Sequence, residues 1–255
     1  MGMEDNLFGL TGKVAVVTGG SRGLGRESVR ALASAGAHVV IASRKLESCE
    51  QLATEIVRDY GVRALPVRCH VGHWDDVGQL VEAAYEEFGR IDVLINNAGM
   101  SPLYESLDSM SEELYDKVFD VNLKGPFRLS ALVAARMLSD GIAGSIINIS
   151  SASANSPTPA EVPYAAAKAG LNSLTVGMAR AYGPHVRVNA IVAGPFLTDV
   201  SNAWDMDAFA ADAKNKIALQ RAGDPREIAG TVLYLASAAS SFTTGALLNV
   251  DGGYQ

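Results

Sequence analysis

The stretch Thr18-Gly19-Gly20-Ser21-Arg22-Gly23-Leu24-Gly25 decides the fold, because it joins a short β-branched run to a helical pattern. The run at residues 14–17 predicts a strand, and residues 26–35 predict a helix. Glycines at 19, 23 and 25 allow a sharp turn close to a pyrophosphate, and the helix N-terminus adds N–H donors. The order of strand, turn and helix favours a dinucleotide site, although an ordinary strand-to-helix turn remains the alternative.

The same alternation of apolar runs and helical segments continues along the chain. Strands are predicted at residues 14–17, 39–41, 64–67, 91–95, 145–149, 186–191 and 246–250. Helices are predicted at residues 26–35, 46–60, 75–88, 111–138, 162–182 and 225–236, and glycines follow the first three. The runs are almost continuously apolar, which is typical of strands buried on both faces of a parallel sheet. We therefore predict an α/β fold with one doubly wound domain over residues 1–255, of which 1–9 are flexible.

Charge and hydropathy exclude several classes of protein. The chain has 255 residues, with 21 Lys and Arg against 28 Asp and Glu, so its net charge is −7. An acidic surface argues against general nucleic-acid binding. The longest apolar runs are about five residues, far below the roughly 20 that span a membrane. No basic stretch precedes an apolar run at the N-terminus, so we expect a cytoplasmic protein without a secretory signal.

Metal and disulfide chemistry is not expected. Cys49 and Cys69 are the two cysteines, and neither belongs to a CxxC pair, so a disulfide scaffold or a structural zinc site is not predicted. His70 and His73 lie near Asp75 and Asp76, a spacing that conceivably suits a metal. Polar residues of a solvated loop explain this group better, and no metal is predicted.

The end of the second predicted strand indicates which dinucleotide binds. An acidic residue usually holds the free 2′-hydroxyl of the adenosine ribose at this place. Here Ser43 and Arg44 follow the strand, and Arg22 lies in the glycine-rich turn. A guanidinium and a hydroxyl suit a 2′-phosphate, so NADP(H) is predicted over NAD(H). The alternative is that both arginines are simply solvated at the surface.

Tyr164 and Lys168 provide a candidate for proton transfer. Their i, i+4 spacing places a phenol and an ammonium on one face of a helix. A nearby ammonium favours the phenolate, so we expect a lowered pKa for Tyr164 and a role as general acid and base. Ser151 precedes Tyr164 by 13 residues and follows the fifth predicted strand. A Tyr-x3-Lys pair alone is common on helices and is not specific.

The motifs are specific when taken together. In chain order they are the turn 18–25, Asn96-Asn97-Ala98-Gly99, Asn122, Ser151, Tyr164 with Lys168, and Asp251-Gly252-Gly253. Over about residues 10 to 255 this set closely resembles the short-chain dehydrogenase/reductase family, including its 3-oxoacyl-carrier-protein reductases and equally its sugar, steroid and small-ketone reductases. The resemblance implies a Rossmann-like domain with a seven-stranded parallel sheet. It also implies hydride transfer between NADP(H) and a carbonyl or secondary alcohol.

The resemblance assigns four catalytic residues. Tyr164 would protonate the substrate oxygen during reduction. Lys168 would bind the nicotinamide ribose and lower the Tyr164 pKa. Ser151 would hydrogen-bond the substrate carbonyl, and Asn122 would hold a water that links Lys168 to solvent. A cofactor-binding protein that has lost catalysis and acts as a regulator or scaffold is the rival hypothesis, against which the intact set argues. A metal-dependent hydrolase is a third, and it lacks a convincing His/Asp cluster.

The resemblance also assigns a cofactor-binding set. It consists of Gly19, Ser21, Arg22, Gly23, Leu24, Gly25, Ser43, Arg44, His70, Val71, Asn97, Ala98, Gly99, Tyr164, Lys168, Phe196 and Thr198. Thr198 would hydrogen-bond the nicotinamide carboxamide, and Phe196 would contribute backbone contact. The chain departs from the family pattern at two places. His70-Val71 replaces Asp-Val, which alters the contact to adenine, and Ala193-Gly194-Pro195 replaces Pro-Gly, which predicts a less rigid loop.

Three segments are expected around the substrate. Residues 196–216 would form a lid, with Trp204, Met206 and Phe209 as apolar candidates for substrate contact. Residues 100–107 and 152–161 would form the other walls. Packing of the lid or contact between subunits explains the apolar residues equally well. The resemblance also implies a homotetramer or homodimer, with helices 111–138 and 162–182 and the C-terminal segment between subunits.

Overall fold

A computed structural model describes residues 7–199, 201 and 205–254. Seven strands form one parallel sheet: β1 (Val14–Thr18), β2 (His38–Ser43), β3 (Ala64–Arg68), β4 (Val93–Asn96), β5 (Gly144–Ser151), β6 (Val186–Ala193) and β7 (Leu247–Val250). Their spatial order is β3-β2-β1-β4-β5-β6-β7, so the direction of winding reverses between β1 and β4. This confirms the predicted seven-stranded, doubly wound sheet. Ligands bind outside the carboxyl ends of the strands at such a reversal.

Helices cover both faces of the sheet. They are α1 (Gly23–Ser34), α2 (Leu46–Tyr60), α3 (Trp74–Phe88), α4 (Glu112–Phe119), α5 (Gly125–Ser139), α6 (Val162–Tyr182), α7 (Met206–Lys216) and α8 (Ala229–Ala236). Alternate residues of β1 face opposite cores: Val17 packs with α1, α2 and α8, and Val16 packs with α3 and α5. Both faces are therefore buried, which explains the continuous apolar runs of the sequence.

Two helical segments differ from the prediction. The helix predicted at 111–138 is two helices, α4 and α5, joined by one turn of π-helix at Asp120–Lys124. Pro126 stands in the first turn of α5, where its missing N–H is tolerated. Helix α7 was not predicted, because its apolar residues are mostly alanines and only Ala213 is buried, so no broad apolar stripe marks it. Asp205 caps this helix by accepting hydrogen bonds from two backbone N–H groups.

A ladder of buried polar side chains connects the middle of the sheet to two helices. Asn96 of β4 donates from Nδ2 to Asn148 Oδ1 of β5 and to Ser130 Oγ of α5, each at 2.8 Å. Asn148 donates in turn to Thr175 Oγ1 of α6 at 2.8 Å. All four residues are nearly inaccessible to solvent. Each needs these partners, because a buried polar group without a hydrogen bond is costly.

Other expectations fall partly outside the described residues. Residues 1–6 and Trp204 lie outside them, so the expected flexibility of residues 1–9 concerns mainly undescribed residues. Cys49 and Cys69 are buried free thiols. Among the described residues, no three His, Cys, Asp or Glu side chains are grouped so as to hold a metal ion. None of the described helices has the length and apolar character needed to cross a membrane.

Candidate active site

The glycine-rich turn lies at the carboxyl end of β1 and is tied to the end of β4. Thr18 Oγ1 accepts the backbone N–H groups of Asn97 and Ala98 at 3.1 and 3.2 Å. The Asn97 amide Nδ2 donates back to the carbonyl oxygens of Thr18 and Gly19, at 2.9 and 3.1 Å. The Asn97 side chain therefore holds the turn in place, with both of its N–H groups committed.

Two features of this turn fit a pyrophosphate. A Cβ atom at Gly25 would collide with the carbonyl oxygen of Gly19, so only glycine allows α1 to begin this close to the turn. The first turn of α1 has no acidic residue, and the Arg22 side chain does not cap the helix. The backbone N–H groups at the positive end of the helix dipole can therefore bind an anion.

The end of β2 carries a hydroxyl that is already engaged. Ser43 Oγ donates to the carbonyl oxygen of Lys45 and accepts from Ser21 Oγ, both at 3.1 Å. Cys49 Sγ lies 3.1 Å from the same Ser43 oxygen. Since a hydroxyl has one hydrogen to give, Ser43 must break its bond to Lys45 before it can donate to a phosphate. Ser21 is half-buried beside it, and its oxygen still has room to accept.

The two arginines of the predicted phosphate site differ in their surroundings. Arg44 is exposed, and within the described part of the chain no ion pair involves it. Arg22 Nη1 lies 3.3 Å from Asp199 Oδ2, and both side chains are more than half exposed. An exposed ion pair of this kind contributes at most about 1 kcal/mol, so Arg22 is free to exchange partners.

His70 replaces the acidic residue of the family pattern and has different hydrogen-bonding capacity. The ring Nδ1 of His70 accepts the backbone N–H of Gly72 at 3.2 Å, and the backbone N–H of His70 donates to Asp76 Oδ2 at 2.9 Å. Burial lowers the pKa of His70, and His73 and Arg44 lower it further. The ring is therefore neutral at pH 7 and carries its hydrogen on Nε2, which makes it a donor where a carboxylate would accept. Val71 beside it is buried.

Asn122 lies inside the π-helical turn with its side chain fixed by backbone groups. Its Nδ2 donates to the carbonyl oxygens of Met100 and Val118, each at 2.8 Å. Its Oδ1 accepts the N–H of Met100 at 3.2 Å. A Cβ atom placed on Gly99 would lie 3.0 Å from Asn122 Oδ1 and 3.6 Å from Lys168 Nζ, so Asn122 and Lys168 flank the same glycine. The sequence places these residues far apart, and the fold brings them together.

Lys168 and Tyr164 occupy the first turns of α6, with Ser151 at the end of β5. Lys168 Nζ is buried and donates to the carbonyl oxygen of Ile149 at 2.7 Å. Burial lowers the pKa of Lys168 to about 8. Its Nζ lies 5.7 Å from the centre of the Tyr164 ring. The Ser151 hydroxyl lies near the phenol and lowers its pKa.

The expected lowering of the Tyr164 pKa was wrong in direction. Burial raises the pKa of Tyr164, and the neighbouring Ser151 hydroxyl offsets only part of that effect. The physical reason is that desolvation penalises a phenolate, while the Lys168 ammonium is turned to the Ile149 carbonyl. Tyr164 therefore holds its proton at neutral pH, as a group that protonates a substrate must.

The depressed pKa of Lys168 predicts how stability depends on pH. Between pH 8 and 10.5 the unfolded chain keeps this proton while the folded chain releases it, so stability rises with pH across that window. Relative to Lys168→Met, the wild-type free energy of unfolding should rise by about 2 kcal/mol from pH 7.5 to pH 10. Urea unfolding of both proteins measures this. Lys117→Met, at an exposed position, is the control, and its free energy of unfolding should differ from that of wild type by the same amount at both pH values. If the difference between Lys168→Met and wild type were also the same at both pH values, the pKa of Lys168 would not be depressed.

The loop that follows β6 lies over the glycine-rich turn. The methyl carbon of Thr198 would lie 3.4 Å from a Cβ atom on Gly23, and Phe196 is buried against Gly223. Two backbone hydrogen bonds hold the Gly194-Pro195 segment, one from the Gly194 N–H to the Val250 oxygen and one from the Gly223 N–H to the Pro195 oxygen. Further along the predicted lid, Met206 is exposed and Phe209 is half-buried.

Sequence reasoning missed one side chain in the predicted substrate walls. The Tyr104 hydroxyl donates to the carbonyl oxygen of Pro159 at 2.6 Å and accepts the N–H of Val162 at 3.0 Å. It thus joins residues 100–107 to residues 152–161. A tyrosine in an irregular segment carries no spacing signal, so only the fold reveals this bridge.

The geometry as a whole suits redox chemistry on a small molecule. A turn that fits a dinucleotide lies near the buried Lys168, and the Tyr164 phenol and the Ser151 hydroxyl lie in the neighbouring elements α6 and β5. These features meet at the carboxyl ends of β1, β4 and β5, next to the reversal of strand order.

Comparisons with known proteins agree with this geometry. The profile of a family described as Enoyl-(Acyl carrier protein) reductase matches residues 19–255. The short chain dehydrogenase/reductase astE of Aspergillus oryzae is 38% identical over 98% of this chain and 97% of its own. The L-rhamnose 1-dehydrogenase (NAD(P)(+)) of Azotobacter vinelandii is 39% identical over 96% of this chain and 97% of its own.

A solved structure extends the comparison to three dimensions. The NADPH-dependent 3-quinuclidinone reductase of Rhodotorula rubra superposes with a TM-score of 0.92, at 32% identity, over 100% of this chain and 97% of that chain. The likeness covers the sheet, the glycine-rich turn and the segment that carries Tyr164. The chain therefore belongs to the short-chain dehydrogenase/reductase family and is an oxidoreductase that interconverts a carbonyl and an alcohol with a nicotinamide dinucleotide.

Proposed function

We propose that this enzyme is an NADP(H)-dependent reductase of small carbonyl compounds, with Tyr164 as its general acid and base. The observation that carries the proposal is the grouping of Tyr164, the neighbouring Ser151 hydroxyl and the buried Lys168, whose Nζ lies 5.7 Å from the centre of the Tyr164 ring. When bound, NADPH supplies a hydride to the carbonyl carbon. The protein must then give a proton to the carbonyl oxygen and stabilise the negative charge that develops there.

The four residues divide this work. The Ser151 hydroxyl donates a hydrogen bond to the substrate oxygen, and the Tyr164 hydroxyl transfers its proton to the same oxygen. Lys168 holds the nicotinamide ribose and, with a pKa of about 8, is close to the pH at which it can pass on a proton. Asn122 Oδ1 keeps one lone pair free beside Gly99 and Lys168, where a water molecule would complete the relay.

The remaining cofactor contacts come from the ends of the strands. The glycine-rich turn and the first turn of α1, which includes Leu24, hold the pyrophosphate. His70 and Val71 contact the adenine, with the His70 Nε2–H as a donor. Ala98 and Gly99 line the ribose side, and Phe196 and Thr198 contact the carboxamide.

Preference for the phosphorylated dinucleotide rests on charge at the end of β2. Arg44 is exposed and forms no ion pair among the described residues, and Arg22 can exchange Asp199 for a phosphate. No carboxylate follows β2 to hold a free 2′-hydroxyl. Because the Ser43 hydrogen is already engaged, we propose that the two guanidinium groups carry most of this selectivity.

A panel of aldehydes, ketones and secondary alcohols tests the function. It is run with NADPH and NADH for reduction and with both oxidised forms for oxidation. Turnover of a small carbonyl, faster with NADPH, is the expected result. The names of two relatives suggest sugars and cyclic ketones as first members of the panel. Tight binding of NADPH without turnover of any compound would instead favour a regulator or scaffold.

We further propose that the protein is a homotetramer, or failing that a homodimer. Large apolar side chains are exposed on α4, α5 and α6: Tyr115, Phe127, Leu138 and Val162. Burying them between subunits would remove apolar surface from water. Light scattering should give a mass near 107 kDa, four times the 26.7 kDa of one chain. A mass of one chain at working concentration would contradict this assembly.

We propose that the enzyme has a single domain and is located in the cytoplasm. Residues 1–255 act as one domain, with 196–216 closing over the substrate as a lid. The enzyme works in the cytoplasm, a reducing compartment that suits the two buried free thiols.

A further inference from the structure

The start of α6 is held by a side chain from a distant segment. Tyr104 lies between β4 and α4, and its hydroxyl both donates to the Pro159 carbonyl oxygen and accepts the Val162 N–H. The two hydrogen bonds are 2.6 and 3.0 Å long and span 55 and 58 residues of sequence. One hydroxyl therefore joins the two segments, residues 100–107 and 152–161, that we expect to line the substrate site.

The first turn of α6 depends on this bridge because it has no cap of its own. The N-cap residue Glu161 makes no side-chain hydrogen bond to the helix. Pro163 has no N–H, so Val162 carries one of the few free donors of the turn. The Tyr104 hydroxyl takes that donor in the manner of an N-cap side chain. Tyr164 lies only two residues further along the same turn.

The other end of the bridging segment is fixed as well. Met100 is bound through both its N–H and its carbonyl oxygen to the Asn122 side chain. Four residues later, Tyr104 binds the start of α6. Residues 100–104 are therefore fixed at both ends and connect Asn122 to the first turn of α6, which carries Tyr164.

We propose that Tyr104 is a positioning residue, which keeps the Tyr164 hydroxyl aligned with Ser151 by fixing the start of α6. The inference rests on the proposed role of Tyr164. Without the bridge, the first turn of α6 loses a hydrogen bond and gains freedom to shift. A shift of about 1 Å at a reacting group lowers a rate by as much as 10²-fold.

The test compares Tyr104→Phe with wild type on a substrate from the panel. The expected result is a fall in kcat of about tenfold, with KM and the Kd for NADPH changed less than about threefold. The solvent deuterium isotope effect on kcat should increase, because proton transfer from Tyr164 becomes slower. Hydrogen exchange of backbone amides in residues 162–168 should be faster, and this readout needs no substrate.

Tyr85→Phe is the matched control. It removes one hydrogen bond of 3.0 Å from a tyrosine hydroxyl to Asp140, between α3 and the end of α5. We expect it to leave kcat, the isotope effect and exchange in residues 162–168 unchanged.

Three results would overturn the inference. The first is that Tyr104→Phe has the kcat and the hydrogen exchange of wild type. The second is that Tyr104→Phe changes KM alone, which would make Tyr104 a substrate contact. The third is that Tyr85→Phe lowers kcat as much as Tyr104→Phe does. Failure of the proposed function is a separate result, since Tyr164→Phe would then turn over normally.

Discussion

Tyr164→Phe is expected to lower kcat for carbonyl reduction by about 10³-fold, the scale on which a general acid contributes. The substitution removes one oxygen and keeps the ring, so the packing of α6 is preserved. Ser151 can still hydrogen-bond the substrate oxygen, yet no group with a transferable proton remains beside it. The Kd for NADPH, measured by fluorescence titration, should stay within about twofold of wild type, because the pyrophosphate and adenosine contacts are elsewhere.

Tyr182→Phe provides the control for this experiment. Tyr182 is the last residue of α6, is half-buried, and has a pKa that burial raises, as Tyr164 does. The same chemical change on the same helix should leave kcat unchanged. Normal turnover of Tyr164→Phe would show that another group supplies the proton, and the mechanism would have to be abandoned.

Arg44→Glu is expected to reverse the preference between the two dinucleotides. The change removes charge-assisted hydrogen bonds to the 2′-phosphate, each contributing about 1.5–3 kcal/mol, and adds repulsion. The Kd for NADPH should therefore increase by about 10²-fold or more. An acid at the end of β2 also provides the usual partner of a free ribose 2′-hydroxyl, so NADH should bind at least as well as before.

The measurement is a pair of fluorescence titrations, with NADPH and with NADH. Arg58→Glu makes the same change of charge on the exposed surface of α2, where Arg58 pairs with its neighbour Asp59. It should alter both affinities equally and weakly. An equal loss for both dinucleotides in Arg44→Glu would mean that Arg44 does not recognise the 2′-phosphate.

The parts of the fold that repeat a physical pattern could be predicted from sequence. Strands buried on both faces produce continuous apolar runs. The glycine-rich turn after the first run identifies the first strand and helix as the dinucleotide-binding unit. Helices α2 and α6 have the predicted boundaries. Helix α7 could not be predicted, because its apolar residues are mostly alanines and form no broad stripe. The π-helical turn could not be predicted either, because its backbone conformation depends on the elements packed around it.

The candidate site also has features that the sequence could predict and features that it could not. The grouping of Lys168 with Tyr164 follows from helical spacing. The direction of the Tyr164 pKa does not, since it depends on how deeply the phenol is buried and on where the Lys168 ammonium points. The Tyr104 bridge joins residues more than 50 positions apart, and no local pattern encodes it.

The buried ladder through Asn96 and Asn148 has a consequence for folding. These two residues face each other across β4 and β5. If β5 slipped by one residue, Asn148 would point to the opposite core, and its amide partners would be left without hydrogen bonds in apolar surroundings. Each orphaned group would cost about 1–3 kcal/mol. Parallel sheets pair strands that are distant in sequence, so folding intermediates with a shifted register can form. The buried asparagines make such intermediates unstable. They therefore favour a single register between β4 and β5 when the two halves of the chain assemble.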